Sequence, residues 1–164
     1  MSGRTGRFLS ELEASFDASL AREEEEAAGD LARSFRNDEE IHSVLARSDA
    51  SHLQTEDGRL LPLVEVGSDY AIAGLQGDFL VHLETAIFTT GGRGHRPRRT
   101  DLTWLAVARS WAAEGRKVQV RTLQSLIEGF LIAAARDFVT VERARRSVFV
   151  PHAAIRYLRS CPED

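Results

Sequence analysis

From Gly115 to Leu158 the chain alternates short apolar runs with polar punctuation, and this rhythm restricts the fold more than anything else in the sequence. Val118 and Val120 alternate with Gln119 and Arg121, the period of a half-buried strand. Gln124 and Ser125 mark a turn, and Ile127 to Ala133 then runs apolar with Gly129 inside it. A glycine within a strand predicts a bend, a bulge or a close backbone approach. Arg136 and Asp137 turn the chain, Phe138 to Val141 leave as a strand, and the basic loop Glu142 to Arg146 leads into Val148–Val150. Pro151 ends that strand, and Ala154, Ile155, Tyr157 and Leu158 form a short last one. Five short strands bent at a glycine predict a small closed barrel.

Gly129, the Asp137-Phe138-Val139 run and the segment from Val150 to Ile155 resemble the Sm-like barrels, the Sm, LSm and Hfq group with an SH3-like fold. The resemblance covers about a quarter of the chain. It implies a bent five-stranded barrel, RNA as the preferred ligand, and association through strand edges. Two departures limit it. No asparagine lies between Gly129 and Val141, and Tyr157 follows Ile155-Arg156 where the family has glycine. The family's nucleotide pocket is therefore not implied.

Upstream, Phe8, Leu9, Leu12, Phe16 and Leu20 recur at helical spacing, and Leu31 and Phe35 continue the stripe. These predict an amphipathic helix from about Gly6 to Arg36, interrupted or kinked near Gly29. Asn37-Asp38 reads as a stop and a new N-cap for a helix over 39–47, with Ile41, Val44 and Leu45 on one face. Strand patterns return at His52–Thr55, Leu60–Val66, Tyr70–Leu75, Phe79–Leu83 and Ala86–Thr90, with Pro62 tolerable only at an edge or bulge. Gly77-Asp78-Phe79-Leu80-Val81 echoes Arg136-Asp137-Phe138-Val139-Thr140, each after a glycine-bearing apolar strand (Gly74, Gly129). The echo predicts two degenerate copies of one barrel, with Asp78 and Asp137 each in the turn between second and third strands.

Gly91 to Arg99 reads as a linker or long exposed loop. Thr100 or Asp101 then caps a helix from Leu102 to Glu114, with Leu105, Ala108, Trp111 and Ala112 apolar and Gly115 as its C′ residue. The expected division is a helical segment at 1–47, a degenerate barrel at 48–92, a basic linker at 93–100, and a helix plus the second barrel at 101–164. The class is α+β, mainly β. The layout also resembles a group of actinobacterial proteins with an acidic N-terminal helix, some labelled transcriptional regulators, but no stretch here reads as a DNA-binding helix-turn-helix.

Apolar residues make up 43% of the chain, enough for a core. The single cysteine, Cys161, excludes an internal disulfide framework and fits a reducing cytoplasm, the expected location. No signal-peptide pattern opens the sequence, and no apolar run approaches a membrane span, so no membrane partner is expected. The net charge of −4 hides a split. Residues 1–92 carry 7 Lys+Arg against 18 Asp+Glu, whereas residues 93–164 carry 14 against 7. Such a division suits either pairing between the halves or a basic face for a polyanion.

No catalytic constellation stands out: the five histidines lack metal spacing, and there is no P-loop, nucleophile elbow or dinucleotide fingerprint. Neither an enzyme nor a cofactor is expected. The candidate nucleic-acid-binding residues are Arg93, Arg96, Arg98, Arg99, Arg116, Lys117, Arg121, Arg143, Arg145 and Arg146. Solvated surface, pairing with the acidic helix and a protein partner are the competing readings. Phe130 and Phe138, the aromatics that could stack bases, are expected in the core. The leading expectation is a non-enzymatic regulator that binds RNA or another polyanion. The second is an interaction or self-association module acting through barrel edges and Phe8, Leu12, Phe16 and Leu20 of the helix.

Overall fold

The computed structural model describes the backbone of residues 3–37 and 40–162 and the side chains of residues 7–29 and 40–162. The chain divides into two compact units, Met1–Glu40 and Ile41–Asp164. The first holds α1, Gly3–Asn37, which runs without a break through Gly29, contrary to the expected interruption. A Cβ at Gly29 would meet nothing within 4 Å, so that glycine weakens the helix only through its flexibility. Asp38, half of the expected stop, lies outside the described residues.

The second unit starts with α2, Ile41–Arg47, which buries Leu45. Eleven strands follow, with α3, Trp104–Ala113, between the sixth and seventh. They are β1 Ser51–Gln54, β2 Leu60–Val66, β3 Tyr70–Ala73, β4 Phe79–His82, β5 Ile87–Thr90 and β6 Arg98–Arg99, then β7 Lys117–Thr122, β8 Leu126–Ala134, β9 Phe138–Arg143, β10 Arg146–Pro151 and β11 Ile155–Ser160. All belong to one sheet ordered β10-β9-β8-β7-β11-β4-β3-β2-β1-β5, with β6 parallel beside β2 and every other pairing antiparallel. The sheet does not close: among the described residues β10 pairs only with β9, and β5 only with β1. The fold is mixed α+β and mainly β.

The two five-strand groups share one order. In each, four strands run as a meander and the fifth returns to pair with the first, giving β4-β3-β2-β1-β5 and β10-β9-β8-β7-β11. They join where β11 meets β4, at Leu158↔Leu80 and Arg159↔Phe79. The sequence echo is out of step with this repetition. Asp137 precedes the third strand of its group, but Asp78 precedes the fourth, and Gly74 is a turn residue at φ 99 after β3. Gly129, by contrast, is mid-strand, where a Cβ would come 2.3 Å from the Glu142 carbonyl oxygen of β9. Close backbone approach accounts for that glycine.

Two apolar cores flank β3 and β4. Tyr70 and Leu80 pack with Trp104, Trp111, Val118, Val120, Leu131, Val139, Val141, Ile155 and Leu158. Their strand neighbours Ala71, Ala73, Phe79 and Val81 pack with Leu45, Leu53, Leu63 and Val66. The pleat sends successive side chains to opposite faces. Strands covered on both faces read as unbroken apolar runs, as these two do in the sequence.

Helix α3 starts later than expected because Thr103, not Thr100 or Asp101, is its N-cap: Thr103 Oγ1 accepts from the Ala106 N–H. Asp69 Oδ1 accepts the Trp104 N–H at 2.7 Å and ties the helix to the β2–β3 turn. Trp104, Val107, Ala108 and Trp111 are the buried row, with Leu105 and Ala112 at its margin. Gly115, at φ 63, ends the helix as expected. Pro62 pairs with His52 just beyond the β2–β3 ladder, which starts at Leu63↔Ala73, so its missing N–H breaks no bond there.

Candidate nucleic-acid interface

The stretch read as a linker is strapped to the sheet. Arg98 and Arg99 align with Glu65 and Val66, the Thr100 N–H donates to Val66 O, and Pro97 is buried. Glu65 on β2 is only 6% exposed. A buried carboxylate needs a countercharge and donors, and it receives both: Arg98 Nη2 and the Tyr70 hydroxyl each donate to it. Burial, then the bond to Glu65, holds the Tyr70 phenol above its ordinary range. Nothing in the sequence flags this triad, because β6 is a two-residue strand in a run without apolar residues.

The ten candidate basic residues fall into two sets. Arg96 pairs with Asp49 at 2.9 Å, Arg98 with Glu65, Arg116 with Glu114, Lys117 with Glu128 at 3.2 Å and Arg121 with Glu56 at 3.3 Å. Arg116 also lies over the Trp111 ring, 4.8 Å from its centroid. Hydrogen bonds from Gln119 and Lys117 hold the Glu128 carboxyl below its usual range, so it remains ionised beside its lysine. Among the described residues, Arg93, Arg99, Arg143, Arg145 and Arg146 form no ion pair with a carboxylate. Arg99 lies on β6 beside β2, and Arg93 in the loop between β5 and β6. The other three occupy the β9–β10 hairpin, six strand positions away along the sheet path.

That hairpin departs from local preference twice. Ala144 and Arg145 form a two-residue turn with φ 49 and 62, the left-handed geometry that favours Asn-Gly. Arg143 stands directly opposite Arg146, and like charges across an antiparallel pair repel. Strain of this kind persists where the surroundings fix it, and it clusters at functional positions.

Beside the tip, the outer face of β8–β10 carries exposed aromatics. Phe130 opposes Glu142 and Phe149 opposes Thr140, two residues apart on β9, so both rings project from one face. Phe130 is 51% exposed and Phe149 64%, and Phe138 packs edge-to-face on Phe149 at 5.6 Å. Phe130 is therefore not in the core, and Phe138 is half-buried. The outward residue of a bent strand alternates like the inward one, and period alone does not say which parity faces the core. A shallow groove lined by Lys117, Glu128, Phe130, Glu142, Arg143 and Ala144 joins the aromatic face to the tip.

A second cluster escaped the sequence because its members are far apart in the chain. The His82 ring stacks on Trp104 at 4.2 Å, and His152 lies 4.7 Å from Trp104. Nε2 of both histidines and Nε1 of Trp104 are buried with no partner among the described residues. Burial, then the neighbouring His152, pushes the His82 imidazole down to about 4. Among the described residues no three metal-ligating side chains converge, and no helix is long and apolar enough to cross a membrane.

On α1, taken by itself, Phe8, Leu12, Phe16 and Leu20 form one exposed stripe with Leu9; Phe16 is 69% exposed. No protein-family model matches the chain, and no curated protein matches it either.

Proposed function

We propose that the protein is a non-enzymatic, nucleic-acid-associated regulator that holds single-stranded RNA at the β9–β10 hairpin, and that each five-strand group is a degenerate small barrel sharing the β3–β4 wall. The carrying observation is three arginines on a locally unfavourable turn that form no ion pair among the described residues, beside the exposed rings of Phe130 and Phe149. Arginines supply phosphate contacts, and exposed aromatic rings supply stacking surfaces for unpaired bases. RNA is preferred over DNA on the Sm-like resemblance. The identical strand order and a core for each group support the barrel reading.

Fluorescence anisotropy with labelled single-stranded RNA tests this reading. Three phosphate contacts on a single strand give a slope of about −2 in log K against log salt. Phe149→Ala should weaken binding by roughly 1–3 kcal/mol. Absence of binding at low salt, or equal affinity for duplex and single strand, would count against it.

A specific observation favours a second reading, a self-association module. The free edges β10 and β5 are the fourth and fifth strands of their groups, the same two positions that meet internally at β4 and β11. Pairing of β10 in one copy with β5 in the next repeats that junction head-to-tail. The apolar stripe of α1 offers a further contact. Sedimentation should then show oligomers that Thr89→Pro on β5 disperses; a strict monomer at every concentration would end this alternative.

A further inference from the structure

A recess of about 290 Å³ opens between β1, β4, β5 and β11. Its walls are apolar, with Leu53, Phe79 and Val81 inside and Ile87 and Leu123 at the rim, 65% and 73% exposed. Large aliphatic side chains left in water around a concave apolar surface mark a site that gains from an occupant. One wall is charged. Arg156 lines the recess, and among the described residues its side chain makes one long hydrogen bond, Nη1 to the Thr85 carbonyl at 3.4 Å. It forms no ion pair among the described residues. The Thr85 hydroxyl in the same wall is buried with no partner among the described residues. The one carboxylate in the lining, Glu56, pairs with Arg121 at 3.3 Å and so does not neutralise Arg156.

We propose that this recess binds a small monocarboxylate with a short aromatic or aliphatic tail. The tail would lie against Leu53, Phe79 and Val81, and the carboxylate would meet the planar guanidinium of Arg156, whose remaining N–H groups suit two-point recognition. The volume is at the bottom of the range for ligand sites, which sets the size of the tail. The charge complementarity chooses an acid over a neutral apolar molecule. This site is separate from the β9–β10 hairpin and does not depend on RNA binding there.

Isothermal titration of the full chain with 3-phenylpropionate, against 3-phenylpropan-1-ol as its uncharged counterpart, is the test. The acid should bind saturably and the alcohol about tenfold or more weakly, the worth of one charge-assisted pair. Arg156→Gln should erase that preference. Ile87→Glu, at an exposed rim position, should weaken the acid more than the alcohol and serves as a second probe if Arg156→Gln unfolds by circular dichroism. Equal affinity for acid and alcohol, no saturable binding of the acid, or an unchanged preference in either folded variant would overturn the proposal.

Discussion

Three residues bear weight out of proportion to their size. Gly129 has no room for a Cβ, since one would stand 2.3 Å from the Glu142 carbonyl and 2.7 Å from Val141 Cγ1. Gly129→Ala must push β8 from β9, and urea unfolding should show a loss of about 2–3 kcal/mol, in the range of overpacked cores. Arg98 is the countercharge of a nearly buried carboxylate. Arg98→Ala should lower the urea midpoint, because Glu65 would keep a buried charge without its partner, and adding Glu65→Gln should recover part of the loss. His82 carries most of the pH dependence, with His152 beside it also held below the ordinary histidine range by burial. The His82 imidazole titrates near 4 in the fold against an ordinary 6.5, so the folded state disfavours the charged form. The stability this contributes is complete above about pH 6.5 and is lost as pH falls towards 4. The loss should be roughly 2 kcal/mol after allowance for partial exposure, and His82→Phe should flatten the profile. The glycine was legible in the sequence because a glycine in an apolar run has few structural reasons to be there. Glu65 and His82 were not, because Arg98 arrives from β6 and the partners of His82 arrive from α3 and the turn after β10.

At the level of elements, apolar period located most strands to within a residue or two, and Gly115 marked the end of α3. What it missed was which parity faces inward. Phe130 looked like core, yet β8 turns Gly129 and Leu131 to the interior and leaves the ring outside. The loop from Gly91 to Arg99 looked free because its tether is a buried carboxylate 33 residues upstream of Arg98. The β9–β10 turn gave no Asn-Gly signal, so its tight two-residue geometry was invisible. That mismatch yields an expectation with opposite signs. Arg145→Gly should raise stability by about 0.5–1 kcal/mol, since glycine takes the left-handed position without strain. The same change should weaken RNA binding. A stabilised hairpin with unaltered affinity would detach the strained turn from function.

For the whole molecule, the organising feature is one strand order used twice, with β3 and β4 serving as a wall for both cores. The sequence suggested a repetition, though the echo around Asp78 and Asp137 pointed to strands that do not correspond. Order along a sheet is set by long-range pairing, which leaves no local trace. The charge split was visible, but its meaning was not: half of the candidate cations are matched to carboxylates by the fold, and three of the unmatched ones gather on one hairpin. The most direct measurement compares two triple variants by anisotropy with the same single-stranded RNA. Arg143, Arg145 and Arg146 are changed to alanine in one, and Arg93, Arg96 and Arg99 in the other, with Arg98 left in place to hold Glu65. The expected result is a loss of about tenfold or more and a flatter salt dependence for the hairpin variant, with the strap variant close to the unaltered protein. Equal losses in both, or a loss confined to the strap, would contradict the assignment of RNA binding to the hairpin.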